Sequence, residues 1–225
     1  MEDTVSYFSP FDLLAEEYDS WFDKEGKLIF ETEILALRKV LHLLPKPWLE
    51  IGVGSGRFAQ ALGIEVGIDP SLELLKMAEK RGIKVYQVKG EEQFFKERSF
   101  GTVFLIVTLC FVESPIAVLK EANRILKPEG KVVLGLVLRD SPWGRLYMKK
   151  KEEGHRFYKY ANFYSLEEIE RFLSGSGFKI EEIVSTLFQE PDSIKEVEAP
   201  KEGFFTSAGF TVILGSKVSR LRRLC

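Results

Sequence analysis

The residues from Trp48 to Phe58 constrain the fold more than any other part of the chain. They read Trp-Leu-Glu-Ile-Gly-Val-Gly-Ser-Gly-Arg-Phe, an apolar run that meets Gly52, Gly54 and Gly56 and then continues as a helical pattern. A strand that turns sharply into a helix through glycines presents backbone N–H groups to a polar ligand at the edge of a sheet. The stretch therefore predicts a ligand-binding turn within a βαβ unit.

The spacing of the glycines discriminates between cofactors. A dinucleotide site requires Gly-x-Gly-x-x-Gly, whereas here the third glycine comes one residue early and Arg57 follows it. Glu50 also lies two positions before the first glycine, at the carboxyl end of the strand. An NAD-dependent oxidoreductase is therefore disfavoured, although a tight turn can also be purely structural.

The pattern Glu-x-Gly-x-Gly-x-Gly resembles the first motif of the class I S-adenosylmethionine-dependent methyltransferases, with Glu50, Gly52, Gly54 and Gly56 in the matching positions. Ser55, within the turn, belongs to the same implied site. The resemblance implies S-adenosylmethionine as cofactor, S-adenosylhomocysteine as product, and no metal. It also implies an α/β fold, with a Rossmann-like, seven-stranded, mostly parallel sheet, helices on both faces and an antiparallel last strand.

A carboxylate at the end of the next strand supports this site. The crossover helix is predicted over Arg57–Leu62 and the second strand over Glu65–Asp69, so that Asp69 ends the strand nineteen positions after Glu50. A carboxylate about 20 residues on can accept hydrogen bonds from two ribose hydroxyls. NAD-binding proteins share this residue, and a helix-capping aspartate is the plainer alternative. Pro70, which follows directly, is expected at the same site.

Two later segments extend the resemblance. In the family, a loop after the third strand borders the adenine, and Gly90 and Glu91 match it. The apolar run Val103–Val107 predicts a buried fourth strand beside the glycine turn. Thr108 and Leu109 follow that strand and are therefore expected close to the transferred methyl group. One departure is Gly101, which stands where the family usually has an aspartate.

The chain is predicted to form a single domain because its 225 residues contain no linker-like segment. Residues 1–44 form a helical cap, 45–138 the cofactor-binding core, 139–164 an acceptor-pocket insertion, and 165–225 a last helix and strand pair. In small-molecule members of the family an N-terminal tyrosine closes over the cofactor, and Tyr18 matches it. Packing of an aromatic helix face on the core is the alternative interpretation of that segment.

The catalytic residues stay open at this point. Methyl transfer from a sulfonium mainly requires alignment in a dry site, so a general base is needed only for an acceptor that must lose a proton. His155 and Tyr158, in the aromatic-rich insertion, are the candidates for such a base. A solvent-exposed histidine is the alternative for His155.

These patterns predict an S-adenosylmethionine-dependent methyltransferase that acts on a small-molecule acceptor. One alternative is a methyltransferase-like module that holds the cofactor without turnover. A less favoured one is a nucleic-acid methyltransferase, because the net charge is −2 and no RNA-binding motif accompanies the interleaved aromatic and basic residues. The acidic N-terminus lacks the features of a signal peptide, and no apolar run is long enough to span a bilayer. A cytoplasmic protein with no membrane partner is therefore expected.

Overall fold

The computed structural model describes residue 9 and residues 11–218. Residues 1–8, 10 and 219–225, which belong to the predicted cap and to the predicted C-terminal segment, lie outside the described residues. The strands are β1 Trp48–Ile51, β2 Val66–Asp69, β3 Lys84–Gln87, β4 Phe100–Ile106, β5 Leu126–Leu136, β6 Phe178–Thr186, β7 Lys201–Glu202 and β8 Phe210–Lys217. The α-helices are α1 Ala15–Trp21, α2 Lys27–Val40, α3 Arg57–Leu62, α4 Leu72–Lys80, α5 Pro115–Ile125, α6 Pro142–Glu152 and α7 Leu166–Gly175.

Within the described ranges these strands form one eight-stranded sheet in the order β3-β2-β1-β4-β5-β8-β6-β7. The first five strands pair in parallel, and β8 lies antiparallel between β5 and β6. The predicted mostly parallel sheet with an antiparallel last strand is thus confirmed. The strand count is eight rather than seven because the two-residue β7 pairs with Val184 and Ser185 at the outer edge.

Helices cover both faces of the sheet, as two separate apolar clusters demonstrate. One cluster joins α2 and α3 to one face of the sheet, and the other joins α5 and α7 to the opposite face. All seven residues of β4 are buried, which agrees with the predicted strand of continuous apolar character.

Serine side chains begin four of the helices. The Oγ atom of each accepts a hydrogen bond from the backbone N–H three residues on, which stabilises the first turn; these serines are Ser71, Ser114, Ser141 and Ser165. Ser165 and Glu168 also form a capping box, in which the Ser165 N–H donates to the Glu168 carboxylate. Ser141 and Pro142 start α6 inside the insertion, so this segment contains an ordered helix where the sequence pattern loosens.

The departure at Gly101 has a packing reason. A Cβ atom at this position would lie 2.3 Å from the carbonyl oxygen of Pro45. The Gly101 N–H donates to the Pro47 carbonyl at 2.8 Å. The segment that leads into β1 therefore crosses directly over the start of β4, and it leaves no room for an aspartate.

None of the helices in the part of the chain that the structure describes is long and apolar enough to cross a membrane.

Candidate functional site

The carboxyl ends of β1 and β4 lie side by side where the order of the sheet reverses. Crevices in open α/β sheets form at such a point. The glycine turn follows β1 there, with the N–H groups of Gly52 and Val53 donating to the Ile68 carbonyl at 2.8 and 3.0 Å. These bonds fix the turn against the end of β2.

The three glycines of the turn adopt left-handed φ angles of +74°, +52° and +82° for Gly52, Gly54 and Gly56. Two of them are also required by protein packing, because a Cβ atom would lie 2.3 Å from Thr108 at Gly52 and 2.9 Å from Ala78 at Gly56. At Gly54 the nearest side-chain atom would be 3.7 Å away, on Tyr18. No protein atom therefore excludes a Cβ atom at Gly54, which lines a cavity where a ligand can approach the backbone closely.

The volume of this cavity is about 230 Å³, and we name it the smaller cavity. Eight of the sequence-predicted site residues line it, namely Tyr18, Gly52, Gly54, Asp69, Pro70, Gly90, Glu91 and Thr108. The tertiary structure adds aromatic and apolar residues that the motifs did not single out, among them Phe11, Leu74, Val107 and Phe111.

The remaining four predicted residues lie beside the smaller cavity rather than in its wall. Gly56 packs on Ala78, and the Ser55 carbonyl accepts a hydrogen bond from Arg81 at 2.8 Å. Leu109 is fully buried in the apolar cluster that contains α5. Its side chain therefore faces the core and not the smaller cavity.

Glu50 is the fourth predicted residue that lies beside the smaller cavity, and it is unusual because it is a buried carboxyl group. It is only 1% exposed, and its Oε2 atom has no hydrogen-bond partner among the described residues. Burial and the nearby charge of Asp69 raise the pKa of Glu50 well above its ordinary value. A buried carboxyl oxygen without a partner is costly, and a cationic or hydrogen-bonding ligand group would satisfy it.

Asp69 holds the turn as well as facing the smaller cavity. One carboxylate oxygen accepts from the Gly54 N–H at 2.9 Å and the other from the Ser71 N–H at 2.8 Å. Burial raises the pKa of Asp69 to about 6, although these two hydrogen bonds oppose the increase. Because each carboxylate oxygen has a further lone pair, Asp69 can still accept hydrogen bonds from ligand hydroxyls.

The variant Asp69→Ala is expected to weaken binding of S-adenosylhomocysteine by about 1.5–3 kcal/mol. It removes the acceptor for ligand hydroxyls and leaves the N–H groups of Gly54 and Ser71 without their partner. Titration calorimetry on the variant measures this loss, with Asp140→Asn, at an exposed carboxylate, as the control. Unchanged affinity would contradict a ribose at Asp69.

A second, larger cavity of about 430 Å³ adjoins the first. Its wall combines α1, α2 and the insertion, and includes both predicted base candidates, His155 and Tyr158. Four residues line both cavities, namely Phe11, Tyr18, Val107 and Phe111. The two spaces therefore meet at an aromatic junction at the end of β4.

Val107, at this junction, has a φ angle of +52°. A β-branched residue in the left-handed region is strained by roughly 1–3 kcal/mol, and such strain concentrates at functional sites. The Val107 N–H donates to the Gly135 carbonyl at 2.8 Å, which anchors it to β5. The backbone is thus held in one conformation where the two cavities meet.

The protonation states of His155 and Tyr158 follow from their surroundings. Burial and the charge of Lys150 lower the pKa of His155, so its ring is neutral at pH 7. Its Nδ1 atom accepts from the Phe157 N–H at 3.3 Å, which leaves the proton on Nε2. Burial raises the pKa of Tyr158 to about 12, so the phenol is protonated at neutral pH.

A partly buried ion network ties α1 to the glycine turn. Arg57 donates to Asp19 at 2.8 Å and to Asp23, and Arg81 donates to Asp19 at 2.8 Å. Burial alone would raise the pKa of Asp19, but the hydrogen bonds from Arg57 and Arg81 lower it well below its ordinary value. Arg57 occupies the position that a dinucleotide site gives to glycine. Its ion pair with Asp19 holds α1, the helix that carries Tyr18, against the glycine turn.

The variant Asp19→Asn is expected to lower the free energy of unfolding by about 2 kcal/mol, because it leaves two partly buried guanidinium groups without their shared carboxylate. Urea denaturation at neutral pH measures this change. Asp140→Asn again serves as the control because its carboxylate is 68% exposed. Equal losses in the two variants would mean that the network adds no stability.

Glu33 is a site residue that the sequence motifs did not indicate. It lies on α2, lines the larger cavity and is 6% exposed. A signal was available, because Glu33 stands at helical spacing between the apolar residues Ile29 and Leu37. A carboxylate on the buried face of an amphipathic helix indicates a functional group.

Residue 9 and residues 11–218 contain no group of three or more His, Cys, Asp or Glu side chains that could hold a metal ion.

The chain matches a family model described as a methyltransferase domain over residues 25–183. An uncharacterised protein of Methanocaldococcus jannaschii is 44% identical over 208 residues, which is 92% of this chain and 98% of that protein. A crystal structure from Thermotoga maritima, described as an S-adenosylmethionine-dependent methyltransferase and possible histamine N-methyltransferase, is 39% identical with a TM-score of 0.85, covering 92% of this chain and 98% of its own. The ubiquinone biosynthesis O-methyltransferase of Xanthomonas euvesicatoria is 27% identical over 202 residues, covering 80% of this chain and 84% of its own.

Proposed function

This chain belongs to the class I S-adenosylmethionine-dependent methyltransferases, and from that premise we propose that it methylates a small molecule held in the larger cavity. The observation that carries the proposal is the junction between the two cavities, whose walls share Phe11, Tyr18, Val107 and Phe111. A donor in one cavity and an acceptor in the other would meet there. Family membership supports S-adenosylmethionine as the donor.

The residues of the smaller cavity fit this cofactor chemically. Gly54 leaves space beside the backbone that a Cβ atom would fill. The unpartnered oxygen of buried Glu50 suits a cationic amino group, and Asp69 suits ribose hydroxyls. Gly90 and Glu91, in the wall beyond Asp69, suit the adenine side, as the resemblance implies.

When bound, S-adenosylmethionine supplies a methyl group that the positive sulfonium already activates for displacement. The protein contributes alignment, because holding two reactants in near-attack geometry lowers the barrier by several kcal/mol. The rings of Phe11, Tyr18 and Phe111 at the junction exclude water from the reacting atoms. With His155 neutral and Tyr158 protonated, this site suits an acceptor whose reacting atom already has a free lone pair.

The acceptor is proposed to be a small molecule because the larger cavity is compact and rich in aromatic side chains. Its volume of about 430 Å³ falls within the range of pockets for small ligands. The named relatives differ in the atom that they methylate, since one is an O-methyltransferase and another a possible N-methyltransferase.

Calorimetric titration with S-adenosylhomocysteine, and with NADH in a parallel cell, tests the cofactor assignment. We expect micromolar binding of S-adenosylhomocysteine and no binding of NADH. A screen of amines, hydroxyls and thiols for donor turnover then tests catalysis. The proposal would be contradicted if neither S-adenosylhomocysteine nor NADH binds, or if NADH binds tightly. If S-adenosylhomocysteine binds but no acceptor is methylated, the result would favour a module that only holds the cofactor.

A further inference from the structure

The larger cavity contains a buried carboxyl group that the proposed reaction does not use. Glu33 is 6% exposed. Among residues 9 and 11–218, the hydrogen bonds and ion pairs include none that involves its side-chain carboxyl group. Burial raises its pKa to about 8. Because an unpaired buried carboxyl group is costly, its presence in a cavity wall points to a ligand group that satisfies it.

Aromatic rings line the same cavity as this carboxyl group. The phenols of Tyr18, Tyr147 and Tyr158 line this cavity together with Glu33, from α1, α6 and the short helical turn after α6, and the charge of Glu33 contributes to raising their pKa values. The rings of Tyr147 and Tyr158 are stacked, with centroids 4.2 Å apart. Aromatic faces beside a carboxylate attract organic cations, because the ring quadrupole and the carboxylate both favour positive charge.

The other ionisable groups in the cavity wall do not neutralise Glu33. Glu17 pairs with Arg156 at 2.5 Å, and His155 has a lowered pKa. Lys24 and Glu25 are exposed, and Lys150 lies 5.9 Å from the Tyr147 ring centroid. Cys110, also in the wall, has a pKa that burial raises to about 12. Glu33 is therefore the acidic group buried in this wall, and a cation that enters the cavity would favour its ionised form.

We infer that the acceptor is a small molecule with an amine group, bound as a cation whose ammonium group pairs with Glu33 beside Tyr18, Tyr147 and Tyr158, while a separate atom with a free lone pair receives the methyl group. This inference rests on the proposed function, since it names the class of molecule that the acceptor cavity takes. A neutral or anionic acceptor would leave the carboxyl group unpaired or repel it, so Glu33 is a specificity-determining residue. The cavity volume restricts the amine to a small body.

Pairs of ligands that differ only in the charged group test the inference. Phenethylamine, tyramine and histamine are each titrated against the corresponding alcohol at pH 7.5, in the presence of saturating S-adenosylhomocysteine. We expect at least one amine to bind about tenfold or more tightly than its alcohol. Glu33→Gln should abolish that preference and Glu33→Asp should retain part of it, whereas Glu31→Gln, at a 43% exposed carboxylate of the same helix, should leave it unchanged.

Two outcomes overturn the inference. One is that every alcohol binds as tightly as its amine, and the other is that the preference survives in Glu33→Gln. Thermal unfolding and S-adenosylhomocysteine binding are measured first for each variant, so that a misfolded protein is recognised. Failure to bind S-adenosylhomocysteine in the unmodified protein would contradict the proposed function, whereas normal binding of it without any amine preference would contradict only the role of Glu33.

Discussion

Replacing Gly54 by alanine is expected to weaken binding of S-adenosylhomocysteine by more than about a hundredfold, because the new methyl group fills space that the ligand needs. The structure separates this effect from damage to the protein. A Cβ atom at Gly54 would approach no side-chain atom closer than 3.7 Å. The cost to the fold is then mainly the left-handed backbone, roughly 1–2 kcal/mol.

Gly63 provides the matched control for this variant. Its φ angle is +76°, and no atom lies within 4 Å of the Cβ position. Gly63→Ala therefore imposes the same kind of backbone strain outside the cavity. Calorimetric titration and urea denaturation of both variants compare binding with stability. If the two variants bind S-adenosylhomocysteine equally well, the cofactor does not approach the turn at Gly54.

Glu33→Gln is expected to stabilise the protein at alkaline pH, by on the order of 3–5 kcal/mol near pH 9. Burial raises the pKa of Glu33 from 4.5 to about 8 in the folded state. Below pH 4.5 the group is protonated in both states and costs little. As the pH rises towards 8 the unfolded chain ionises first, so the unmodified protein loses stability that a neutral glutamine does not lose.

Urea denaturation near pH 4.5 and near pH 9 measures this difference directly. Glu50 and Asp69 also have raised pKa values, but they are present in both proteins and cancel in the comparison. The titratable groups that face Glu33, namely Tyr18, Tyr147 and Tyr158, stay protonated across this range. Glu31→Gln should have little pH-dependent effect. An identical difference at the two pH values would contradict a buried, unpaired Glu33.

The local sequence predicted the helix and the strand that flank the glycine turn. The helix predicted over Arg57–Leu62 has those bounds in the structure, and the strand that ends at Asp69 does so as expected. Glycines, helix caps and continuous apolar runs act over a few residues, so their consequences can be derived without the rest of the chain. This is why the predicted residues of the turn and of the two neighbouring strand ends meet at one edge of the sheet.

Other features depended on contacts between distant residues. Glu33 is important because α2 places it beside Tyr147 and Tyr158, more than a hundred positions away in the chain. From the sequence, Arg57 is only a residue that replaces the glycine of a dinucleotide site. Its structural role became clear from its ion pairs with Asp19 and Asp23. Periodicity cannot indicate such partners, because it describes which face of an element is buried and not what covers that face.

The sequence by itself thus indicated the parallel strands and the glycine turn, because apolar runs and glycines act over a few residues, and its resemblance to a family implied the cofactor. Only the tertiary structure decided the shape and lining of the larger cavity. That cavity is enclosed by the N-terminal helices and the insertion, which meet through long-range packing. A buried carboxyl group acquires its chemistry from those neighbours, through the loss of water and the aromatic rings that replace it.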